Sequence, residues 1–156
     1  TGATLSRWVV ANRGDLRGPD GLPIWKPPYS RIIAIDMHSG EFLWETPNGD
    51  TPRHIREHPR LQGLNIPPTG QMVHGVTMPT RTLLLTAPGG DPVLYALDKR
   101  SGKRVGTVRL PAPGQYGMMG YLHEGRQYVV VQIASGTMPG ALVALRLPAP
   151  ANANKP

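Results

Sequence analysis

An all-β fold, and within that class a partial β-propeller, is what this sequence predicts. Three observations carry it. The chain has 19 Gly and 18 Pro among 156 residues and no collagen period. Apolar, β-type runs lie between the Gly/Pro clusters, which reads as many short strands joined by many turns. Second, Ser30–Trp44 holds the pattern Ala34-x-Asp36-x-x-x-Gly40-x-x-x-Trp44: a strand, an Asp turn closed by Gly, and a return strand. Third, a weaker copy follows at Ala96-x-Asp98-x-x-x-Gly102, with Gly106 where the first copy has Trp44. A hairpin repeated at this spacing, within four-stranded units, is the signature of propeller blades. An open antiparallel sheet or a sandwich is the alternative that the pattern alone leaves.

The elements follow in order. Residues 1–29 contain one short apolar run, Trp8–Ala11, and then a Pro/Gly-rich stretch expected as a loop or a strap over a sheet. Arg31–Ile35 is a predicted strand rich in β-branched residues, Asp36–Gly40 its turn and Glu41–Glu45 its return strand. Residues 47–71 form a long excursion of the kind that carries function. Within it, Thr51 is expected as an N-cap with Pro52 at the first helical position, and Pro59 limits the helix to about two turns. Strands are then expected at His74–Met78, Arg81–Ala87, Val93–Asp98, Lys103–Leu110, Tyr116–Tyr121, Gln127–Ala134 and Ala141–Leu147. Their turns lie at Pro79-Thr80, Pro88–Asp91, Arg100–Gly102, Glu124-Gly125 and Ser135–Gly140. The tail, residues 149–156, is expected to be disordered.

This makes one complete four-stranded unit, a partial unit before it and a three-stranded unit after it: about two and a half blades. A closed propeller needs at least about four. The strand that would complete the last unit is missing or must come from residues 1–12. The chain is therefore expected to be the C-terminal part of a larger protein, residues 1–148 being propeller. Standing alone, it would expose sheet edges that drive association.

Composition narrows the function. Cysteine is absent, which removes disulfides and Cys-based metal sites. No apolar run is long enough to span a membrane. The net charge of +7 raises a polyanion reading, but the basic cluster Lys99–Arg109 sits in and after a turn without interleaved aromatics, so nucleic acid is not expected as a partner. His54-x-x-Glu57-His58 matches an inverted zinc-peptidase motif, yet Pro59 ends that helix at once and everything downstream reads as β, which leaves no later helix for a third ligand. No nucleophile elbow or phosphate-binding Gly loop occurs. Asp36 and Asp98 read as turn residues that bond their own backbone and not as paired catalytic carboxylates.

The runs GLPIWKPPYSRIIAIDMHSGEFLWETPNGDTP, IREHPRLQGLNIPPTG, YALDKRSGK and GRQYVVVQIASG resemble the C-terminal segment of pyrroloquinoline quinone (PQQ)-dependent dehydrogenases, closest to quinoprotein glucose dehydrogenases. The resemblance runs from about Gly21 to Pro148. It implies an eight-bladed propeller with PQQ near its axis and a divalent cation (Ca or Mg) beside the quinone. A sugar or alcohol is oxidised by hydride transfer to the quinone, and electrons leave to a quinone or cytochrome acceptor. It implies a periplasmic location, with any membrane anchor outside this segment. Trp44 would be a docking Trp packed between neighbouring blades, a contact the second copy lacks at Gly106. The resemblance places PQQ contacts at His74 and Gly75, at Ser135 and Gly136, and at Asn12. Where the family carries a Gly-Gly-rich loop, this chain has Ala134–Gly140. Each has a structural reading beside it: small residues in tight turns, and a surface Asn. Asp91 reads as a turn residue. The family's catalytic carboxylate and metal ligands fall on no residue here. A non-catalytic propeller scaffold that binds protein partners through its loops is the alternative.

Overall fold

The computed structural model describes residues 16–18 and 20–148. Asn12, the run Trp8–Ala11 and the tail at 149–156 lie outside the described residues. Among the described residues nine strands form three antiparallel sheets. The first pairs β1 (Arg31–Ile35) with β2 (Phe42–Pro47). The second has the order β3 (Val76–Pro79), β4 (Leu83–Ala87), β5 (Val93–Asp98), β6 (Arg104–Arg109). The third has β7 (Gly114–His123), β8 (Arg126–Ser135), β9 (Met138–Arg146). The two-, four- and three-stranded units match the partial blade, the complete blade and the open blade expected from the repeats. Innermost strands β3 and β7 pack against each other, as neighbouring blades do around an axis.

The two copies of the hairpin are built by the same local chemistry. Asp36 Oδ1 accepts from the backbone N–H of His38 at 2.7 Å and of Ser39 at 3.2 Å. Asp98 Oδ1 accepts from Arg100 N at 3.2 Å and Ser101 N at 2.9 Å. Gly40 and Gly102 each close the turn by donating to the Asp carbonyl, at 2.7 and 2.9 Å, with φ of 76° and 69°, a region in which only Gly is unstrained. Both hairpins shift register one residue before the Asp, at Ala34/Ile35 and Ala96/Leu97. The carboxylates are spent on turn geometry, as their sequence context predicts.

Trp44 seals the seam between the first two blades. It pairs with Ala34 across β1–β2, and its indole Nε1 donates to the Lys99 carbonyl at 3.1 Å. A Cβ placed on Gly102 would lie 2.6 Å from Trp44 Cε3, so Gly102 serves both the turn and the ring that lies over it. The apolar core sits in the next seam, where Leu94, Leu110, Val131 and Ile133 meet.

Strand ends shift from the sequence expectation: β3 is Val76–Pro79 and not His74–Met78, which leaves His74 and Gly75 in the preceding loop, and β7 runs beyond Tyr116–Tyr121 to Gly114–His123. Two elements differ more. The turn expected at Ser135–Gly140 is shorter: β8 runs to Ser135 and β9 resumes at Met138, so Pro139 and Gly140 are strand residues. Among the described residues β9 has one hydrogen-bonded neighbour, β8. The missing N–H of Pro139 is tolerated on such an edge. The helix in the insertion is a single turn, α1 (Arg53–Arg56), followed by a 3-10 turn at Pro59–Leu61. Pro52 and not Thr51 stands at its N-cap, because the Thr51 hydroxyl donates instead to the Pro67 carbonyl at 3.1 Å.

Candidate functional site

Strand polarity sorts the loops into two groups. Because Val76 pairs with Ala87 and Gly114 with Ile133, the starts of β3 and β7 share one end with the β4–β5 and β8–β9 turns. That end therefore carries His74 and Gly75, Gly89 to Asp91, and Ser135 and Gly136. β1 starts and β2 ends there too, since Arg31 pairs with Pro47, so the insertion at 47–71 leaves and returns at the same end. The Asp36 and Asp98 turns lie at the opposite end. The repeated motif is scaffold, remote from the loops that the resemblance singles out.

The insertion is fastened to the complete blade by Asn48, Asp50 and Gln71, none of which stands out in the sequence. The buried Thr86 hydroxyl donates to Asn48 Oδ1 at 2.9 Å. Gln71 is buried, and its Nε2 donates to Asp91 Oδ2 at 2.7 Å and to the Asp50 carbonyl at 3.1 Å. Asp50 accepts from Arg104 Nη2 at 2.8 Å and from Tyr95 OH at 3.0 Å. The Arg104 guanidinium lies 3.7 Å above the Tyr95 ring, a cation–π contact. The Pro47–Asp50 turn after a strand is the only sequence signal for this clamp; its partners are 20 to 54 residues away.

The clamp sets two titrations. The Arg104 hydrogen bond holds the Asp50 carboxyl below its ordinary value of 3.8. Burial, helped by the Asp50 charge, pushes the Tyr95 phenol up from 10.0 to about 12. A lowered folded pKa means that the Asp50 contribution is present above about pH 4 and is lost as pH falls below that. A raised one means that the Tyr95 contribution is present below pH 10 and is lost as pH climbs from 10 towards 12. Thermal unfolding against pH should therefore fall at both ends. Asp50→Asn should flatten the acid limb; an unchanged acid limb would show that the clamp does not couple to folding.

The predicted site residues are placed as follows. His74 and Gly75 are exposed and precede β3. A Cβ on Gly75 would sit 2.7 Å from the Ala87 carbonyl oxygen, and one on Gly89 2.2 Å from the His74 carbonyl oxygen, so the two loops interlock through glycines. Ser135 Oγ accepts from Met138 N at 3.0 Å and closes its own turn; Gly136 beside it is exposed, with nothing within 4 Å of a Cβ built on it. The fold thus brings these four residues to one end, on neighbouring blades. Asp91 closes a loop by accepting from Gln71, and it lines a cleft of about 540 Å³ together with Arg53, His54, Gln71, Met72 and Gly90. Also near this end is a residue that the sequence did not single out: Tyr116, 82% exposed, at φ 64° in the bulge between Gly114 and Met118. A non-Gly residue in that region is strained.

The His54-x-x-Glu57-His58 motif is otherwise engaged. Arg53 Nε donates to both Glu57 oxygens, at 2.9 and 2.8 Å. The His58 ring meets the Asp20 carbonyl at 2.9 Å and the Arg60 N–H at 3.3 Å. Among the described residues no three His, Cys, Asp or Glu side chains converge on a metal position.

Comparison with known proteins follows the same lines. The family model for the β-propeller domain of PQQ glucose/ethanol/alcohol dehydrogenases matches residues 3–129. The quinoprotein glucose dehydrogenase of Escherichia coli (strain K12) is 31% identical over 135 residues, covering 83% of this chain and 17% of that protein. The quinate/shikimate dehydrogenase (quinone) of Acinetobacter baylyi is 36% identical over 118 residues, covering 71% of this chain and 14% of that protein. The glycerol dehydrogenase large subunit of Gluconobacter oxydans is 33% identical over 119 residues, 71% and 15%. The chain thus spans less than a fifth of the length of these relatives.

Proposed function

Because the chain belongs to the β-propeller family of PQQ-dependent glucose/ethanol/alcohol dehydrogenases, we propose that residues 1–148 are the C-terminal propeller segment of a periplasmic enzyme that oxidises a sugar or alcohol. The observation that supports this best is the convergence of His74, Gly75, Ser135, Gly136 and the clamped insertion on one end of adjacent blades. Glucose, quinate/shikimate and glycerol, in the relatives' names, support a sugar or alcohol as the substrate. The "quinone" in one of those names makes a quinone the first acceptor to try, with a cytochrome the second.

A planar polycarboxylate such as PQQ needs hydrogen-bond donors at its rim and small residues where its ring passes. This end of the blades supplies both. Arg53 and His54 line the cleft beside Asp91, and Gly136, on the neighbouring blade and outside that lining, has no described atom within 4 Å of an added Cβ. The residues fit the group. When bound, PQQ takes the hydride equivalent from the substrate C–H. In this reading the chain's own residues position it. His74 and Gly75 offer a ring nitrogen and a bare backbone, Gly136 lets the ring approach, and Gln71 holds the insertion so that it limits water access. Asn12 is retained as a further polar contact. Among the described residues no cluster of side chains fits a divalent cation, so its ligands, and the carboxylate that takes the proton, are assigned to the rest of the protein.

Full-length protein supplied with PQQ and Ca²⁺ should reduce an electron-accepting dye with at least one of glucose, quinate or glycerol. The isolated 156-residue chain should not. Failure of the full-length protein to bind PQQ would leave the non-catalytic scaffold as the function, and turnover by the isolated chain would overturn the placement of the base outside it.

A further inference from the structure

The seam between the second and third blades lacks the side chain that fills the seam before it. Trp44 projects from the β1–β2 sheet towards the second blade from a position paired with Ala34. The equivalent pair in the second blade is Ala96 and Gly106. Directly opposed residues of antiparallel strands point to the same face, and Ala96 lines a cleft of about 510 Å³ between the second and third blades. The side chain missing at Gly106 would point into that cleft, and only the Ala96 methyl, 3.6 Å away, would meet its Cβ. Val108, two residues on and therefore on the same face, lines it too.

The lining is apolar. Leu85, Leu94, Ala96 and Val108 form one wall, and Val129 and Leu145 the other. The mouth is cationic. Arg81, in the turn after β3, and Arg146, at the end of β9, both border it. Both are exposed, and neither guanidinium has a hydrogen-bond or ion-pair partner among the described residues. Four other arginines, Arg31, Arg53, Arg60 and Arg104, are each paired with a carboxylate. An apolar slot with two unpaired guanidinium groups at its entrance matches a molecule with one apolar chain and one anionic head.

We propose that this vacated seam is a binding site for a monomeric single-chain amphiphile with a carboxylate or phosphate head. The chain lies between the sheets where an indole lies in the preceding seam, and the head rests on Arg81 and Arg146. The slot is a concave cleft between two sheets, open on one side, a shape that suits a single inserted chain better than a flat bilayer surface. It opens towards the end that bears the Asp98 turn, opposite His74 and Gly136, so the site is separate from the proposed cofactor end and stands or falls independently of it.

The test is calorimetric titration of the full-length protein with dodecanoate, dodecyl phosphate, neutral dodecyl maltoside and indole, each kept below its micelle concentration. Dodecanoate and dodecyl phosphate should bind saturably at one site per chain, at least tenfold tighter than the maltoside; which of the two is tighter identifies the head group. Gly106→Trp should fill the slot and weaken both by more than tenfold, while Phe42→Ser, an exposed apolar position outside the slot, should leave them unchanged. Arg81→Ala with Arg146→Ala, both on the surface, should reduce the anionic probes to the maltoside level, and this variant decides the matter if Gly106→Trp does not fold. Absence of saturable binding, equal binding of the maltoside, preference for indole, or full binding by a folded Gly106→Trp or by the double arginine variant would each overturn the proposal.

Discussion

Gly89→Ala should lower stability by about 3 kcal/mol and loosen the proposed cofactor end at the same time. The added Cβ would stand 2.2 Å from the His74 carbonyl oxygen and 2.9 Å from its carbon, at a backbone φ of +87°. Both neighbours are main-chain atoms, so no rotamer change relieves the contact; the His74–Gly75 segment must move. Gly40→Ala is the matched control. Its φ is +76°, but nothing lies within 4 Å of the added methyl, so it should cost only the conformational term, about 1 kcal/mol. Urea unfolding of the two variants separates crowding from backbone preference. Equal losses would mean that the two loops do not interlock.

Trp44→Ala should cost about 3 kcal/mol, because it removes the ring that closes the first seam and the hydrogen bond to Lys99. Trp44→Phe keeps part of the ring and loses the indole N–H, so its cost should be nearer 1 kcal/mol. The Trp44–Gly102 contact adds a sharper expectation. Gly102→Ala places a methyl 2.6 Å from the ring, and in the Trp44→Ala background that crowding vanishes while the φ penalty stays. A double-mutant cycle should therefore give a coupling of about 1 kcal/mol or more. Additive losses would mean that the indole does not rest on the Gly102 turn.

The strands and the two Asp turns were legible in the sequence because their determinants are local. A β-branched run, an Asp that bonds N–H groups two and three residues ahead, and a Gly at positive φ suffice to specify each hairpin. The three-unit count followed from repeating that reading along the chain. The β8–β9 hairpin was harder. Pro139 and Gly140 look like turn residues, and only their place on a one-sided edge strand makes them part of β9. The helix in the insertion was overestimated for a related reason: Thr51 has the chemistry of a cap, but its hydroxyl is taken by Pro67. Asn48, Asp50 and Gln71 were missed because each acts through a partner that only the fold brings near. His74, Gly75, Ser135 and Gly136 came from resemblance, and the fold places them together at one end; Ser135, whose hydroxyl closes its own turn, has the plainest structural role of the four.

Titration of the full-length protein with PQQ, read by fluorescence quenching, distinguishes the two ends of the blades most directly. With His74→Ala, PQQ affinity should fall by tenfold or more. With Asp36→Asn, which alters only the opposite turn, it should stay within twofold, provided that circular dichroism shows both variants folded. Unchanged affinity in His74→Ala together with lost affinity in Asp36→Asn would contradict the assignment of the His74–Gly136 end to the cofactor.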